Sequence, residues 1–334
     1  MTEECLICYD EIVLLETAFR FETLPRSLKV LLVCPSHGAK EALKNVSFQA
    51  YEKQTTALVG RNGAGKTTIM NVVAGLQKPT SGRVFVCGYD VVKHTDLARA
   101  TIGFCPQRDL LFSDLTVWEH LMYFGTLKQM HPGPLKSAAE DMLVAANLED
   151  DVRTLVQDLK RGPTKLLSIA IATLGKPKVV VIDEPTSGLD RYNTQLVWNM
   201  LLRVRRSSAL LISTHDMTEA DVLADRVVSL TQGIVVCNAS PTHLKSIYGV
   251  GYKVSLKKST RVPFQKQQVL SILRRYVPSA ELLHDEPEHA TIGLHTVVSK
   301  DFDRMFRELE RAGARLGIRS IGLTVSTLKD IYLK

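Results

Sequence analysis

The chain of 334 residues has no run of about 18 apolar residues, which a membrane-spanning helix would need. Its first residues, MTEECLICYDEIVLLETAF, are acidic and lack the basic segment that begins a signal peptide. Aromatic residues make up only 6% of the chain and are not interleaved with basic ones in a stacking pattern. The sequence therefore predicts no membrane span, no signal peptide and no nucleic-acid partner.

Cysteine is sparse, and only Cys5 and Cys8 lie close together in the sequence. These two have the spacing of half a zinc site, but no second pair of cysteine or histidine residues follows at the required distance. We therefore expect reduced thiols, as in a cytosolic protein, and a metal site at this pair is the alternative.

The positive charge is unevenly distributed along the chain. The formal net charge is +7, and residues 248–334 hold 15 Lys and Arg against 9 Asp and Glu, a difference of six. This excess is either a solvated basic face or a surface that contacts an acidic partner or the anionic cytoplasmic face of a membrane.

Regions with different patterns follow one another along the chain. Residues 1–26 carry no clear fold signal and are interpreted as a tail or linker. From 27 to 245, short β-rich apolar runs alternate with helical patterns, which favours an α/β sheet domain. A strand is predicted at 55–59, and the runs at 178–182 and 209–213 are apolar on both faces, as buried parallel strands are. Thr116 and Glu119 form a capping-box pattern that predicts a helix towards Lys128.

A second, smaller domain is predicted over 246–334. Its pattern gives strands at 251–258, 280–285, 290–297 and 318–326, with helices at 263–277 and 301–313. This βαββαβ order is that of a ferredoxin-like α+β domain, in which helices cover one face of a sheet.

A glycine-rich turn follows the predicted strand at 55–59 and precedes a helical pattern. Residues 60–67, GRNGAGKT, fit the phosphate-loop pattern GxxxxGK[ST], whose backbone N–H groups converge on phosphate oxygens. Lys66 is expected to neutralise charge on the β- and γ-phosphates, and Thr67 to place its hydroxyl on Mg²⁺. ATP and Mg²⁺ are therefore the predicted cofactors. The residues expected to contact the nucleotide in this loop are Gly60, Arg61, Asn62, Gly63, Ala64, Gly65, Lys66, Thr67 and Thr68.

Two carboxylates end the apolar strand VVVIDEP at 179–185. Asp183 is expected to reach the Mg²⁺ shell, and Glu184 to act as general base on the attacking water. The separation between Lys66 and Asp183 suits a P-loop ATPase that contains an inserted helical subdomain.

Ordered motifs resemble the ATP-binding cassettes of ABC transporters over about residues 40–240: GRNGAGKTT, the CPQ that contains Gln107, DEPTSGLD and the STHD that contains His215. The resemblance implies that Gln107 senses Mg²⁺ and couples to a membrane domain, so that Thr67, Gln107 and Asp183 are the predicted metal ligands. It also implies that His215 contacts the γ-phosphate. The D-loop, which crosses to a partner cassette, would be Ser187, Gly188, Leu189 and Asp190.

Three further stretches are similar to the A subfamily of ABC transporters: 104–128, 241–256 and 323–334. In that subfamily a ferredoxin-like regulatory domain follows each cassette, which agrees with the βαββαβ order. The expected fold is therefore an α/β P-loop ATPase domain with a helical subdomain, followed by the small α+β domain. The resemblance implies an ATPase on the cytoplasmic side of a lipid-handling transporter, whose transmembrane helices and second cassette lie outside this chain.

The family's LSGG signature, which contacts ATP on the partner cassette, is altered at 159–162. Lys160 replaces the serine, Arg161 replaces the first glycine, and only Gly162 remains. Pro163 suits a first helical turn, so a helix is still expected to begin here. The two cations could attract phosphate, but they crowd the slot, so we expect catalysis at the partner's ATP to suffer more than binding. Drift in a nonfunctional sequence is the alternative.

No aromatic residue that could stack on adenine occurs between Pro25 and Ser47, which predicts weaker nucleotide binding. The function predicted first is an asymmetric ATPase cassette, with hydrolysis at its own site and slow turnover of the partner's ATP. The alternative is a soluble ATP-switched regulatory or binding protein that uses the cassette for association without transport.

Overall fold

The computed structural model describes residues 27–33, 36–37, 40–248, 251–295, 301–325 and 327–329. The predicted tail at 1–26 and the Cys5/Cys8 pair lie outside these residues. The chain forms two compact units, Met1–Ser240 and Pro241–Lys334, whereas the boundary predicted from the sequence follows residue 245.

The strands of the first unit are β1 (Ser27–Val33), β2 (Ser36–His37), β3 (Lys40–Glu41), β4 (Val46–Tyr51), β5 (Thr55–Val59), β6 (Ser81–Val86), β7 (Tyr89–Asp90), β8 (Ile102–Cys105), β9 (Val179–Asp183), β10 (Ala209–Thr214), β11 (Arg226–Thr231) and β12 (Ile234–Ala239). Its helices are α1 (Lys66–Val73), α2 (Thr95–Ala100), α3 (Val117–Leu127), α4 (Pro132–Ala146), α5 (Arg161–Thr173), α6 (Arg191–Val204) and α7 (Met217–Leu223). A short 3₁₀ turn covers Val156–Asp158.

The main sheet has the strand order β12-β11-β5-β10-β9-β8, and all pairs except β11 with β12 are parallel. Every residue of β9 and β10 is buried, which confirms the prediction that these strands are covered on both faces, and every residue of β5 is buried as well. The carboxyl ends of parallel strands meet at one edge of a sheet, where ligands of such folds bind. Asp183 is the last residue of β9, and the phosphate loop, Gln107 and His215 follow strands that end at this edge.

A second, antiparallel sheet with the order β4-β1-β6-β7 shares a hydrophobic core with the main sheet. Phe48, Leu58, Ile69 and Val84 come from β4, β5, α1 and β6 and are all 2% exposed or less. Burial of each such side chain contributes about 1.5–3 kcal/mol, so this core fixes α1 and the loop before it.

Helices α3, α4 and α5 pack against one another and form the inserted helical part. The predicted capping box is confirmed, because Thr116 accepts from the Glu119 backbone N–H and the Glu119 carboxylate accepts from the Thr116 N–H. Lys128, the C-cap residue of α3, donates to the carbonyls of Ile171, Ala172 and Leu174. This lysine therefore satisfies the carbonyls at the end of α5.

The second unit contains α8 (Pro241–Tyr248), β13 (Gly251–Lys258), α9 (Lys266–Tyr276), β14 (Glu281–Asp285), β15 (His289–His295), α10 (Phe302–Gly313) and β16 (Ile318–Val325). The sheet order β14-β15-β13-β16 is fully antiparallel and confirms the predicted ferredoxin-like βαββαβ arrangement. The core joins both helices to the sheet through side chains that are at most 1% exposed: Val254, Leu256, Val269, Leu273, Ile292, Leu294, Met305 and Leu309.

Helix α9 is shorter than predicted, because it begins at Lys266 and not at Pro263. The Gln265 N–H donates 3.0 Å to the Leu316 carbonyl, and Gly317 packs against the carbonyls of Val262 and Pro263. These contacts hold the residues before Lys266 in a loop. The eight arginines of this unit are solvent-exposed, as either interpretation of the basic excess requires: Arg261, Arg274, Arg275, Arg304, Arg307, Arg311, Arg315 and Arg319. Among the described residues, no helix is long and apolar enough to cross a membrane.

Candidate ATP-binding and hydrolysis site

The loop at 60–65 fits closely between buried elements. A Cβ on Gly60 would lie 2.5 Å from the Leu230 carbonyl oxygen, and one on Gly65 would lie 2.5 Å from the Leu43 side chain. Gly65 also has a φ of 105°, which residues with a side chain rarely adopt, and it is the N-cap of α1. No side chain caps this helix, so its first-turn N–H groups suit an anion such as a phosphate group.

Lys66 is 6% exposed, and its ammonium lies inside the loop. Its Nζ donates 2.8 Å to the Gly60 carbonyl and lies 3.4 Å from Oε1 of Glu184. The lysine thus joins the phosphate loop to the end of β9. This position places a fixed positive charge beside the helix N-terminus, as the predicted phosphate contact requires.

The Glu184 carboxylate lies between the Lys66 ammonium and the His215 imidazole. Its Oε1 contacts Lys66, and its Oε2 lies 2.6 Å from Nδ1 of His215. The backbone of Glu184 has a φ of 50°, an uncommon value for a residue with a side chain, and its N–H donates to Oγ of Ser213 at 3.0 Å. A strained backbone held by a neighbouring strand is a frequent feature of catalytic positions.

Asp183 is 2% exposed and accepts a hydrogen bond from the Ser213 hydroxyl. Ser213 therefore orients both carboxylate residues, because it donates to Asp183 and accepts from the Glu184 N–H. Thr67 and Gln107, the other predicted Mg²⁺ ligands, are solvent-exposed at the same edge of the sheet. Three oxygen-bearing side chains of this kind are the donor set that Mg²⁺ prefers.

Two buried side chains near the site were not singled out by sequence reasoning. Lys165 of α5 donates to the carbonyls of Pro106 and Gln107 at 3.0 and 3.3 Å, and pairs with Asp109 at 3.3 Å. It therefore anchors the segment that carries Gln107. A lysine within the apolar face of the predicted helix was a usable signal, because a buried ammonium needs partners.

Glu219 of α7 is the second such residue. Its Oε1 accepts from the Thr186 hydroxyl at 2.8 Å and from Nε1 of Trp198 at 3.2 Å. Burial raises the pKa of this carboxyl, and the hydrogen bonds from Thr214, Thr186 and Trp198 oppose the shift. Glu219 thus ties the residues after Glu184 to α6 and α7. No local motif in the sequence marks this role.

The altered signature turn begins α5, with Lys160 as N-cap and Pro163 in the first turn, as expected from the sequence. Nη2 of Arg161 donates 3.1 Å to the Ser187 carbonyl, and its guanidinium lies against Gly188. Arg161 therefore contacts the DEPTSGLD segment of its own chain, a contact that the sequence did not indicate. Gly162 is buried against the amide of Asn193, which leaves no room for a side chain.

The comparisons with known proteins agree with this geometry. Residues 43–187 match the ABC transporter family, and residues 252–328 match an ACT-like domain. A solved ATP-binding subunit of an ABC transporter superposes with a TM-score of 0.62 and 25% identity, over 66% of this chain and 93% of that one. The dimeric cassette MJ0796, in a post-hydrolysis state with ADP and Pi, superposes with a TM-score of 0.58 and 26% identity, over 64% of this chain and 97% of that one.

This chain therefore contains an ATP-binding cassette of the ABC transporter family, followed by an ACT-like domain of ferredoxin-like topology. Its curated relatives include members of the A subfamily. It is 35% identical over 317 residues to ATP-binding cassette sub-family A member 2 of Rattus norvegicus, and 34% identical over 295 residues to the human phospholipid-transporting ATPase ABCA3. Each alignment covers 88% of this chain, which spans only 13% and 17% of the length of these two relatives.

Proposed function

We propose that this chain binds Mg-ATP at the loop 60–68 and hydrolyses it with Glu184 as general base. The observation that carries the proposal is the contact of Glu184 with both Lys66 and His215 at the carboxyl edge of the sheet. Glu184 can accept a proton from water. His215, with 55% of its side chain exposed, can orient the Glu184 carboxylate and face the γ-phosphate.

The remaining roles follow from position. The first-turn N–H groups of α1 and the Lys66 ammonium would bind the phosphates. Thr67, Gln107 and Asp183 would hold Mg²⁺, which supplies positive charge for the phosphate oxygens. Ser213 keeps Asp183 and Glu184 in place through its hydroxyl.

The partner in this proposal is a second cassette, with ATP between the two. Residues 187–190 would form the D-loop that crosses to the partner cassette. The likeness to dimeric cassettes supports this arrangement. Relatives named as phospholipid-transporting ATPases support a transporter that moves lipid across a membrane, with this cassette on the cytoplasmic side.

The altered signature makes the proposed pair of cassettes unequal. The residues that hydrolyse this chain's own ATP are complete, whereas Lys160 and Arg161 stand where a serine and a glycine would contact the partner's ATP. We expect turnover at the partner's ATP to be slower by about 10²-fold or more, because donors for the transition state are missing.

Nucleotide binding can be tested with the purified 334-residue chain and a fluorescent ATP analogue. Lys66→Met removes the buried ammonium and should weaken binding at least tenfold. Lys78→Met changes an exposed lysine shortly after α1 and is the matched control, which should bind as the wild type does. Equal affinities for the wild type and Lys66→Met would overturn the proposed site.

The transport assignment needs a separate measurement on the native protein. Recovery of this sequence in a salt-resistant membrane fraction, at a mass well above 37.1 kDa, supports a cassette within a larger transporter. A soluble species of 37.1 kDa would instead support the ATP-switched regulatory protein.

A further inference from the structure

The altered signature turn and the D-loop segment of the same chain are joined by two sets of contacts. In the first, Arg161 donates through Nη2 to the Ser187 carbonyl at 3.1 Å. Its guanidinium also lies directly on Gly188, where any Cβ would overlap the guanidinium atoms. Gly188 has a φ of 71°, so the position favours glycine for its backbone as well.

The second set of contacts holds the other end of the segment. Gly162 leaves the space that the Asn193 amide fills, and Nδ2 of Asn193 donates 2.6 Å to the Asp190 carboxylate. The Asn193 N–H also donates to Asp190 at 2.8 Å, so Asp190 is the N-cap of α6. Hydrogen bonds from Asn193 lower the pKa of Asp190, which keeps its carboxylate charged.

The segment between these contacts is connected to the proposed general base. The Ser187 N–H donates 3.3 Å to the carbonyl of Glu184, and the Leu189 N–H donates 3.1 Å to that of Thr186. Thr186 in turn donates to the buried Glu219. A displacement of Ser187 therefore reaches Glu184 through one hydrogen bond and a short stretch of backbone.

We propose that Arg161 is a positioning residue that holds residues 187–190 in the conformation that supports Glu184. Arg161, which replaces the first glycine of the partner-facing signature, thus has a role within its own cassette. The turn at 160–162 is thereby joined to the D-loop of its own chain. The catalytic part of this inference rests on the proposed function, whereas the contact itself does not.

Hydrogen exchange of the purified chain tests the contact without requiring activity. Arg161→Ala should raise exchange of amides 186–190 about threefold or more, since it removes a charge-assisted hydrogen bond, and should leave amides 60–68 unchanged. Arg161→Lys, which keeps one donor, should restore part of the protection. Lys160→Ala, the adjacent cation, is the control and should exchange as the wild type does.

A double-mutant cycle gives a second measurement. Gly188→Ala places a methyl group where the guanidinium lies, so the Arg161 side chain should move away and lose its hydrogen bond to Ser187, whereas in the Arg161→Ala background only the backbone cost at φ 71° remains. The two changes should therefore be non-additive in unfolding equilibria. Additive changes, or wild-type exchange at 186–190 in Arg161→Ala, would overturn the inference.

Hydrolysis distinguishes failure of this inference from failure of the proposed function. In a preparation that hydrolyses ATP, Arg161→Ala should lower kcat about threefold or more, with KM within about twofold, because the phosphate loop is untouched. Arg161→Lys should recover part of kcat. If kcat and exchange both stay at wild-type values, the positioning role is wrong and the proposed ATPase stands. A wild-type chain that never hydrolyses ATP when it is paired with a second cassette contradicts the proposed ATPase, while the exchange result still decides the contact.

Discussion

Nδ1 of His215 lies 2.6 Å from Oε2 of Glu184, although the two residues are 31 positions apart in the sequence. They follow neighbouring parallel strands, β10 and β9, whose carboxyl ends bring them together. The other oxygen of the same carboxylate contacts Lys66 at 3.4 Å. A histidine, a carboxylate and a lysine are thus aligned across the edge of the sheet, where the phosphates of ATP are proposed to bind.

Replacement of Glu184 should abolish most hydrolysis. Glu184→Gln keeps the size of the side chain but removes the proton acceptor, and a general base typically contributes 10²- to 10⁴-fold to a rate. We therefore expect kcat of the assembled ATPase to fall at least about 100-fold, with nucleotide affinity retained. Glu140→Gln, on the exposed side of α4, is the control. Turnover within twofold of the wild type in Glu184→Gln would exclude this base.

Removal of the Lys165 ammonium should loosen the segment that carries Gln107. Lys165 is 5% exposed, and loss of a buried charge that has an ionic partner typically costs about 3–5 kcal/mol; the cost here should be lower, because Asp109 is partly exposed. Lys165→Met should lower the free energy of unfolding and raise hydrogen exchange of amides 107–110. Lys178→Met, at an exposed lysine, should do neither. Unchanged exchange of amides 107–110 would contradict the anchoring role.

Glu219 gives a pH-dependent prediction. Because burial raises the pKa of this carboxyl in the folded state, the folded chain binds the proton more tightly than the unfolded chain does. Its contribution to stability is therefore full below the ordinary glutamate pKa and falls as the pH rises through the folded value. In Glu219→Gln, which keeps an acceptor for Thr186 and Trp198, the melting temperature should decline less over this range. Parallel pH profiles for wild type and variant would contradict the prediction.

Lys128 should show a pH dependence of opposite sign. Desolvation of its ammonium lowers the pKa from 10.5 to about 8. Between these values the unfolded chain binds more protons, so the stability of the wild type relative to Lys128→Met should rise with pH. We expect a rise of about 1 kcal/mol, because the residue as a whole is exposed to solvent. Urea unfolding at pH 8 and pH 10 measures this difference in the free energy of unfolding. Lys136→Met, at an exposed lysine, is the control and should not show it.

Cys105 should resist alkylation in the folded chain. It is 1% exposed, and burial raises the pKa of its thiol to about 11. Because the thiolate is the reactive form, iodoacetamide at pH 8 should modify Cys105 only after unfolding. Peptide mass analysis before and after denaturation with urea tests this. Rapid modification of Cys105 in the native chain would show that β8 opens readily.

Much of the fold could be predicted because its signals are local. The strands at 55–59, 178–182 and 209–213 are marked by short β-rich runs, and α3 by its capping box, and all of these are confirmed. The order of strands and helices after residue 250 was sufficient to predict the ferredoxin-like topology. The start of α9 was predicted three residues too early, since the contacts that end the preceding loop come from Leu316 and Gly317.

The sequence by itself determined the phosphate loop, the two carboxylates at the end of the β9 segment and the loss of the signature serine, because each depends on residue types at fixed spacing. Only the tertiary structure decided which side chains support them. Arg161 meets Ser187, Lys165 meets Gln107 and Glu219 meets Thr186 across separations of 26, 58 and 33 residues. The packing of helices on the sheet sets such contacts, and local sequence patterns do not encode that packing.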